Sequence, residues 1–197
     1  MRKSDAYTID NFVPGKELMY RAANGVYESY KEWTGKRIAI VVGGGNNGGD
    51  GYALAGILAK NKIPSDVIRV SEKMSDDGKY YCDIAEELSV KMISFSEDTD
   101  LKEYDVIVDC ILGTGFTGEV RGSARDAIEA INASGAYVIS VDINSGMNGD
   151  TGEAFLTVRS DLTVSIGYLK TGLVTQAAKE YIGKLVNVDI GIILAEE

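Results

Sequence analysis

The run from Val41 to Gly51, Val-Val-Gly-Gly-Gly-Asn-Asn-Gly-Gly-Asp-Gly, constrains this chain more than any other stretch. An apolar strand pattern over Arg37–Val42 leads into it, and a helical pattern over Tyr52–Lys60 leaves it. A strand that turns through glycines into a helix aims unpaired backbone N–H groups at one point, and the helix dipole makes that point attractive to anions. Gly43, Gly45 and Gly48 meet the spacing G-x-G-x-x-G, on its own a weak sign of a dinucleotide-binding fold. Two details are unusual. Asn46 and Asn47 place amide oxygens inside the loop, and Asp50 adds a carboxylate where a phosphate-only cradle would avoid one. Asp50 is open to two readings: an N-cap for the following helix, or part of a loop that holds both a ligand and a cation.

The rest of the chain alternates helical and extended patterns. Lys16–Trp33 carries Leu18, Met19, Ala22, Val26 and Tyr30 near helical spacing. Strands are expected over Asp66–Val70, Lys91–Ser94, Tyr104–Asp109, Ala136–Asp142, Asp161–Ile166 and Lys184–Ile190. Helices are expected over Asp76–Leu88, from Ser123 (with Asp126, a capping-box-like start) to about Ala133, and over Leu173–Tyr181. Near-continuous apolar strands are typical of buried parallel sheets. The expectation is one α/β domain over residues 1–197, a Rossmann-like open, mostly parallel sheet with helices on both faces.

Charge and composition exclude several functions. Lys and Arg number 20 against 30 Asp and Glu, a formal net charge of −10, so nonspecific binding to nucleic acid or an anionic membrane is disfavoured. No apolar run approaches membrane-spanning length and the N-terminus lacks the apolar core of a signal peptide, which makes a cytoplasmic location the expectation. There are no histidines, which removes Ser-His-Asp and Cys-His machinery; with only Cys82 and Cys110 there is no credible zinc site. Acid–base work falls to carboxylates, Lys, Tyr or water. Cys110 reads as a small buried residue behind Asp109, and Cys82 has no partner at redox-motif spacing.

Three segments stand at the carboxyl ends of expected parallel strands, where open α/β sheets bind ligands. They are the Asn46–Asn47 loop, Asp109–Gly122 and Asp142–Gly152. If the first strand lies between the two halves of the sheet, the three converge. A carboxylate ending an apolar strand costs desolvation unless it is paired. Asp109 is therefore either a turn former or, with side-chain oxygens of Asn47 and Ser145, one carboxylate in an all-oxygen site suited to a monovalent cation. Gly113–Gly118 reads as a second anion cradle with Thr114, Thr117 and Arg121 as donors, or as a flexible connection with Arg121 solvated. Asp142 is the best catalytic candidate, its rival reading a turn anchor held by Ser145 and backbone N–H groups. Lys170 could reach a phosphate at this edge or be simply solvated.

Taken together, Asn46–Gly51, Asp109 with Gly113–Gly115 and Arg121–Gly122, Asp142 with Ser145–Gly146, Asn148–Gly152, Lys170–Leu173 and Tyr181–Gly191 make the chain resemble the NAD(P)H-hydrate epimerase family, the N-terminal-type domain of the nicotinamide nucleotide repair system. The resemblance runs over nearly the full length and implies interconversion of the R and S forms of hydrated NADH or NADPH, working beside a separate S-specific dehydratase whose own domain is not expected in this chain. It implies potassium (K+) held by Asn47, Asp109 and Ser145. It implies substrate contacts from Asn46, Asn47, Gly48, Gly49 and Asp50, and from Gly113, Thr114, Gly115, Phe116, Thr117, Gly118 and Glu119, with Asp142 as the key carboxylate beside the nicotinamide ring. One departure stands out: the family usually has proline where this chain has Asn144, which puts the placement of Ser145 in question. A noncatalytic binding protein of the same fold is the alternative. An ordinary oxidoreductase is disfavoured, because the Tyr81 pattern fails at Ala85 and Tyr27-x-x-x-Lys31 lies in an expected packing helix. Met19, Tyr20, Tyr27 and Tyr30 offer surplus apolar surface, which suggests a homodimer through this helix.

Overall fold

A computed structural model describes residues 2–194; residue 1 and residues 195–197, the ends of the expected domain span, lie outside the described residues. Seven strands form one sheet: β1 (Ile38–Val42), β2 (Asp66–Arg69), β3 (Lys91–Ser94), β4 (Val106–Cys110), β5 (Tyr137–Val141), β6 (Ser160–Ile166) and β7 (Ile182–Val188). Their order is β3-β2-β1-β4-β5-β6-β7 and every neighbouring pair is parallel. The chain leaves β1 toward β2 on one side and returns to β4 on the other. The carboxyl ends of β1 and β4 therefore border the point where the strand order reverses, the place where such sheets hold ligands.

Side-chain alternation along the strands assigns the helices to the two faces. Ile38, Ile40 and Val42 of β1 and Val106 and Val108 of β4 face one way, onto α2 (Gly15–Ser29), α3 (Asn46–Lys60) and α4 (Asp76–Glu87). Ala39, Val41 and Ile107 face the other way, onto Ala127, Ile128 and Ile131 of α5 (Gly122–Asn132). A sheet covered on both sides needs apolar residues at every position of its central strands. β1 and β4 are buried throughout.

Several elements differ from the sequence expectation, each for a local reason. α1 (Arg2–Asn11) was not expected, because it has no apolar stripe; Thr8 ties it down by donating to the Ser4 carbonyl (2.7 Å) and accepting from the Ile193 N–H (2.9 Å). α2 stops at Ser29, and Tyr30 continues extended toward a buried Trp33. α5 begins at Gly122, whose φ of 58° turns the chain into the helix, so Ser123 lies inside the first turn and no side chain caps it. The helix expected over Leu173–Tyr181 is instead two 3-10 turns, Thr171–Val174 and Ala178–Glu180. Between them the Thr175 hydroxyl donates to the Gly172 carbonyl (2.9 Å) and accepts from the Ala178 N–H (3.3 Å), competing with a continuous helical ladder. β7 starts two residues earlier than Lys184 and ends before Ile190.

The surface invoked for a homodimer is mostly used within the chain. Met19 and Tyr30 are buried, Tyr27 stacks on Trp33 at 6.3 Å, and only Tyr20 is exposed.

Candidate active site

The segment Asn46–Asp50 is not a loop. It is the first turn of α3, entered from Gly45 in extended conformation, so Asp50 lies inside the helix and the N-cap reading fails. The glycines are there for closeness. A Cβ at Gly48 would stand 2.0 Å from the Gly43 carbonyl oxygen, and one at Gly43 would stand 1.9 Å from that of Ile111. With hydrogen alone at these positions, the helix start sits directly on the ends of β1 and β4. Asn47 is thereby buried; its Nδ2 donates to the Leu112 carbonyl at 3.0 Å, while its Oδ1, equally buried, has no donor.

Asp109, at the end of β4, is fully buried. Its Oδ2 accepts from Ser140 Oγ (2.8 Å) and the Ser145 N–H (2.9 Å), and its Oδ1 from Ser145 Oγ and the Ile111 N–H (3.3 Å). Burial pushes the Asp109 carboxyl up from its ordinary value, and these bonds pull it part of the way back. Ser145 Oγ also touches the Leu112 peptide, accepting from its N–H at 2.8 Å. The Leu112 carbonyl lies 3.2 Å from the same hydroxyl and takes the Asn47 amide, so Asn47, Asp109 and Ser145 meet around one peptide unit. Among the described residues no three or more of His, Cys, Asp and Glu come together as a metal-binding group. A cation here would rest on one carboxylate and neutral oxygens, and the donorless Asn47 Oδ1 fits such a ligand.

Asn144, the departure from proline, secures this corner. Fully buried, its Nδ2 donates to the Val158 carbonyl (2.9 Å), Ser160 Oγ (3.0 Å) and the Tyr181 carbonyl (3.2 Å), and its Oδ1 accepts from Thr163 Oγ1 (2.7 Å). The next residue, Ser145, is thus fixed by side-chain bonds rather than by a pyrrolidine ring.

Asp142 follows β5 with φ at 68°, a left-handed conformation that only a few non-glycine residues adopt. Its N–H still bonds to the Val164 carbonyl at 2.8 Å, so the strand is held while the carboxylate turns toward the crevice. Lys170 is neither solvated nor a phosphate arm: its side chain is 4% exposed and its Nζ donates to Asp142 Oδ1. Asp50 faces the same space. Burial, and after it the Asp142 carboxylate, push the Asp50 carboxyl well above the ordinary range, with Lys170 opposing. Burial likewise raises the free thiols of Cys110 and Cys82.

These walls enclose a crevice of about 720 Å³. Asn46, Asn47, Asp50, Gly113, Thr114, Gly115, Phe116 and Asp142 line it. The chain matches the family described as YjeF-related protein N-terminus over residues 15–172, a span that contains all of these groups. It is 36% identical to the NAD(P)H-hydrate epimerase of Oenococcus oeni over 195 residues, which cover 95% of this chain and 92% of that protein. It is 35% identical to the NAD(P)H-hydrate epimerase of Limosilactobacillus fermentum, covering 96% of this chain and 93% of the relative. This chain belongs to the YjeF-related N-terminal family. The crystal structure of the yeast protein YNL200c superposes with a TM-score of 0.78 over 94% of this chain and 84% of the yeast one; at 21% identity that likeness speaks for the fold.

Not every expected contact of this YjeF-related chain reaches the crevice. Gly48 and Gly49 are buried on the inner side of the first turn of α3, Gly48 against the Gly43 carbonyl and Gly49 against Met19. Thr117, Gly118 and Glu119 are exposed outside it, and Arg121, 82% exposed, pairs with Glu119 at 3.1 Å rather than offering a fork to a phosphate. The apolar wall was missed: Ala6 and Ile9 from α1, Leu18, Met19 and Ala22 from α2, and Ile166, Ile190 and Ile192. Leu18 and Met19 read as ordinary core residues of an amphipathic helix, and α1 gave no signal. Ser140 was missed as well. It is the register partner of Asp109, and two polar residues side by side in two apolar strands were the available clue.

Proposed function

We propose that this chain is an NAD(P)H-hydrate epimerase, interconverting the R and S forms of hydrated NADH or NADPH. The observation that carries this reading is Asp142, turned by its left-handed backbone into a crevice that opens onto the first turn of α3. That turn presents free backbone N–H groups suited to the anionic part of a dinucleotide. The relatives from Oenococcus oeni and Limosilactobacillus fermentum bear the name of this activity.

In the hydrate, the hydroxyl-bearing ring carbon is bonded to the ring nitrogen. Breaking the carbon–oxygen bond leaves a cation stabilised by that nitrogen, and water adding from the opposite face inverts the centre. Asp142 stabilises the cation by its negative charge in a water-poor site. Asp50, whose carboxyl burial pushes well above its ordinary value, is suited to give a proton to the departing hydroxyl, and Asp142 to take the proton of the entering water. Each conversion leaves Asp142 with the proton that Asp50 gave up; exchange with solvent returns it before the next turnover in the same direction, and the reverse reaction exchanges the two roles. The apolar wall from α1 and α2 limits bulk water around the ring.

Asn47, Asp109 and Ser145 would hold potassium, and Asn47 Oδ1 is the atom that otherwise lacks a partner. A bound monovalent cation supplies fixed positive charge that lowers the cost of the buried aspartates. The wider reading includes a separate dehydratase acting on the S form, a cytoplasmic location and a homodimer.

The test is a coupled assay on mixed R and S hydrate with an S-specific dehydratase present. The dehydratase alone stalls when S is consumed, apart from slow spontaneous epimerisation. Rapid recovery of the remaining reduced cofactor on adding this protein is the expected result. No acceleration, with or without potassium, would leave a binding protein in place of an enzyme. Asp142→Asn turning over at the wild-type rate would remove the role given to Asp142.

A further inference from the structure

Among the described residues Lys170 is the one buried cation, held beneath Asp142 of the crevice wall, and its bonding is saturated. Its three N–H donors meet three acceptors: Asp142 Oδ1, the Ile166 carbonyl (2.6 Å) and Ser165 Oγ (3.4 Å). No donor remains for a ligand. The stem lies under the loop that follows Asp142: a Cβ built on Gly149 would be 3.9 Å from Lys170 Cγ, and the Gly149 carbonyl accepts from the Gly172 N–H at 2.8 Å. Lys170 is thus held at its ammonium by Asp142, Ser165 and the Ile166 carbonyl, with its stem beside the Gly149 backbone.

The two oxygens of Asp142 are therefore unequal. Oδ1 is taken by Lys170 and, at 3.4 Å, by the Ile166 N–H. Oδ2 has no hydrogen-bond donor among the described residues and lies 4.0 Å from where a Gly113 Cβ would be. Gly113 lines the crevice.

We propose that Lys170 is a positioning residue that locks Asp142 by Oδ1, so that Oδ2 alone faces the reacting ring. The inference rests on the epimerase reading of this crevice. It accounts for how a carboxylate on a left-handed residue, free to rotate about its side-chain bonds, is held in one orientation without any contact between Lys170 and substrate.

The experiment is steady-state epimerisation by wild type, Lys170→Met and Lys170→Ala, with urea midpoints measured alongside. Lys170→Met is expected to lose kcat by about 10²-fold, the scale of a misplaced catalytic group, with KM for the hydrate nearly unchanged. Propylammonium added to Lys170→Ala is expected to restore part of kcat. A kcat within about threefold of wild type, or a loss carried wholly by KM, overturns the proposal. Where Lys170→Met falls below a usable midpoint, Lys170→Gln, which keeps a donor for the Ile166 carbonyl, is read against the same limits. Silence of the wild type itself would sink the epimerase reading instead. The carboxyl carbon-13 resonance of Asp142 then decides in the ligand-free protein: a shift between wild type and the Lys170 variant supports the contact, and identical resonances overturn it.

Discussion

Replacing Asn144 with alanine tests how this chain holds Ser145 without the family's usual proline. The amide has two protons for three acceptors, so its loss is not three full bonds. The Tyr181 carbonyl keeps the Ser160 N–H at 2.9 Å, and Ser160 Oγ and Thr163 Oγ1 still pair at 2.7 Å. The Val158 carbonyl is the acceptor that loses its close donor, and leaving such a group unsatisfied costs about 1–3 kcal/mol. Emptying the volume of a fully buried carboxamide adds roughly 1 kcal/mol more. A water could enter, since the cavity would be walled by polar atoms, and would bring the total toward the lower end. The expected destabilisation is about 2–4 kcal/mol. With a urea m-value of about 2 kcal/mol/M, the unfolding midpoint falls by roughly 1–2 M. Because Ser145 is the next residue, potassium should also raise the variant's midpoint less than it raises that of the wild type. A midpoint within about 0.2 M of wild type would show that this network is not what fixes the corner.

Gly48→Ala should cost stability despite alanine's helical advantage of about 1 kcal/mol, because the new Cβ would lie 2.0 Å from the Gly43 carbonyl and α3 must move off the sheet; an unchanged melting temperature with full turnover would refute that contact. Asp50→Asn should raise stability at neutral pH relative to wild type. The folded-state pKa of Asp50 lies above its unfolded value, so the wild-type contribution is complete below the unfolded value and is lost as pH rises through the folded one. The two proteins should converge in acid, and parallel pH–stability curves would exclude the raised pKa. Exchanging potassium for choline should lower the thermal midpoint of wild type but not of Asn47→Ala; equal responses would remove Asn47 from the cation site.

Sequence made the α/β architecture and the converging strand ends legible, because both leave local marks. Strands buried on two faces read as continuous apolar runs, and the glycines between β1 and α3 read as a close approach that only hydrogen permits. Asp109 and Asp142 were legible as carboxylates ending such runs. The start of α3 was placed six residues late because Asn and Gly are poor helix formers; packing against the Gly43 and Ile111 carbonyls overrides that preference. α1 was invisible for the opposite reason, being a polar helix whose buried residues, among those described, are Ser4 and Thr8.

Lys170 marks the boundary of what sequence could carry. Four residues past a strand, in a stretch with exposed Tyr168 and Leu169, a lysine reads as solvated. What returns it to the crevice is Gly167, with φ at 69° and its N–H on the Val188 carbonyl at 2.7 Å, which folds the chain back beneath Asp142. Neither residue is informative alone. A buried lysine with no carboxylate would be untenable, and a buried aspartate on a left-handed residue would be doubly costly. Each removes the other's penalty, so the pair exists only through a tertiary turn. The same logic separates Asp142 from Asp50: two carboxyls face one crevice with a single ammonium between them, and the ammonium is bonded to Asp142. Asp50 has no such partner, burial pushes its carboxyl well above the ordinary range, and that asymmetry separates the two carboxyls of the crevice.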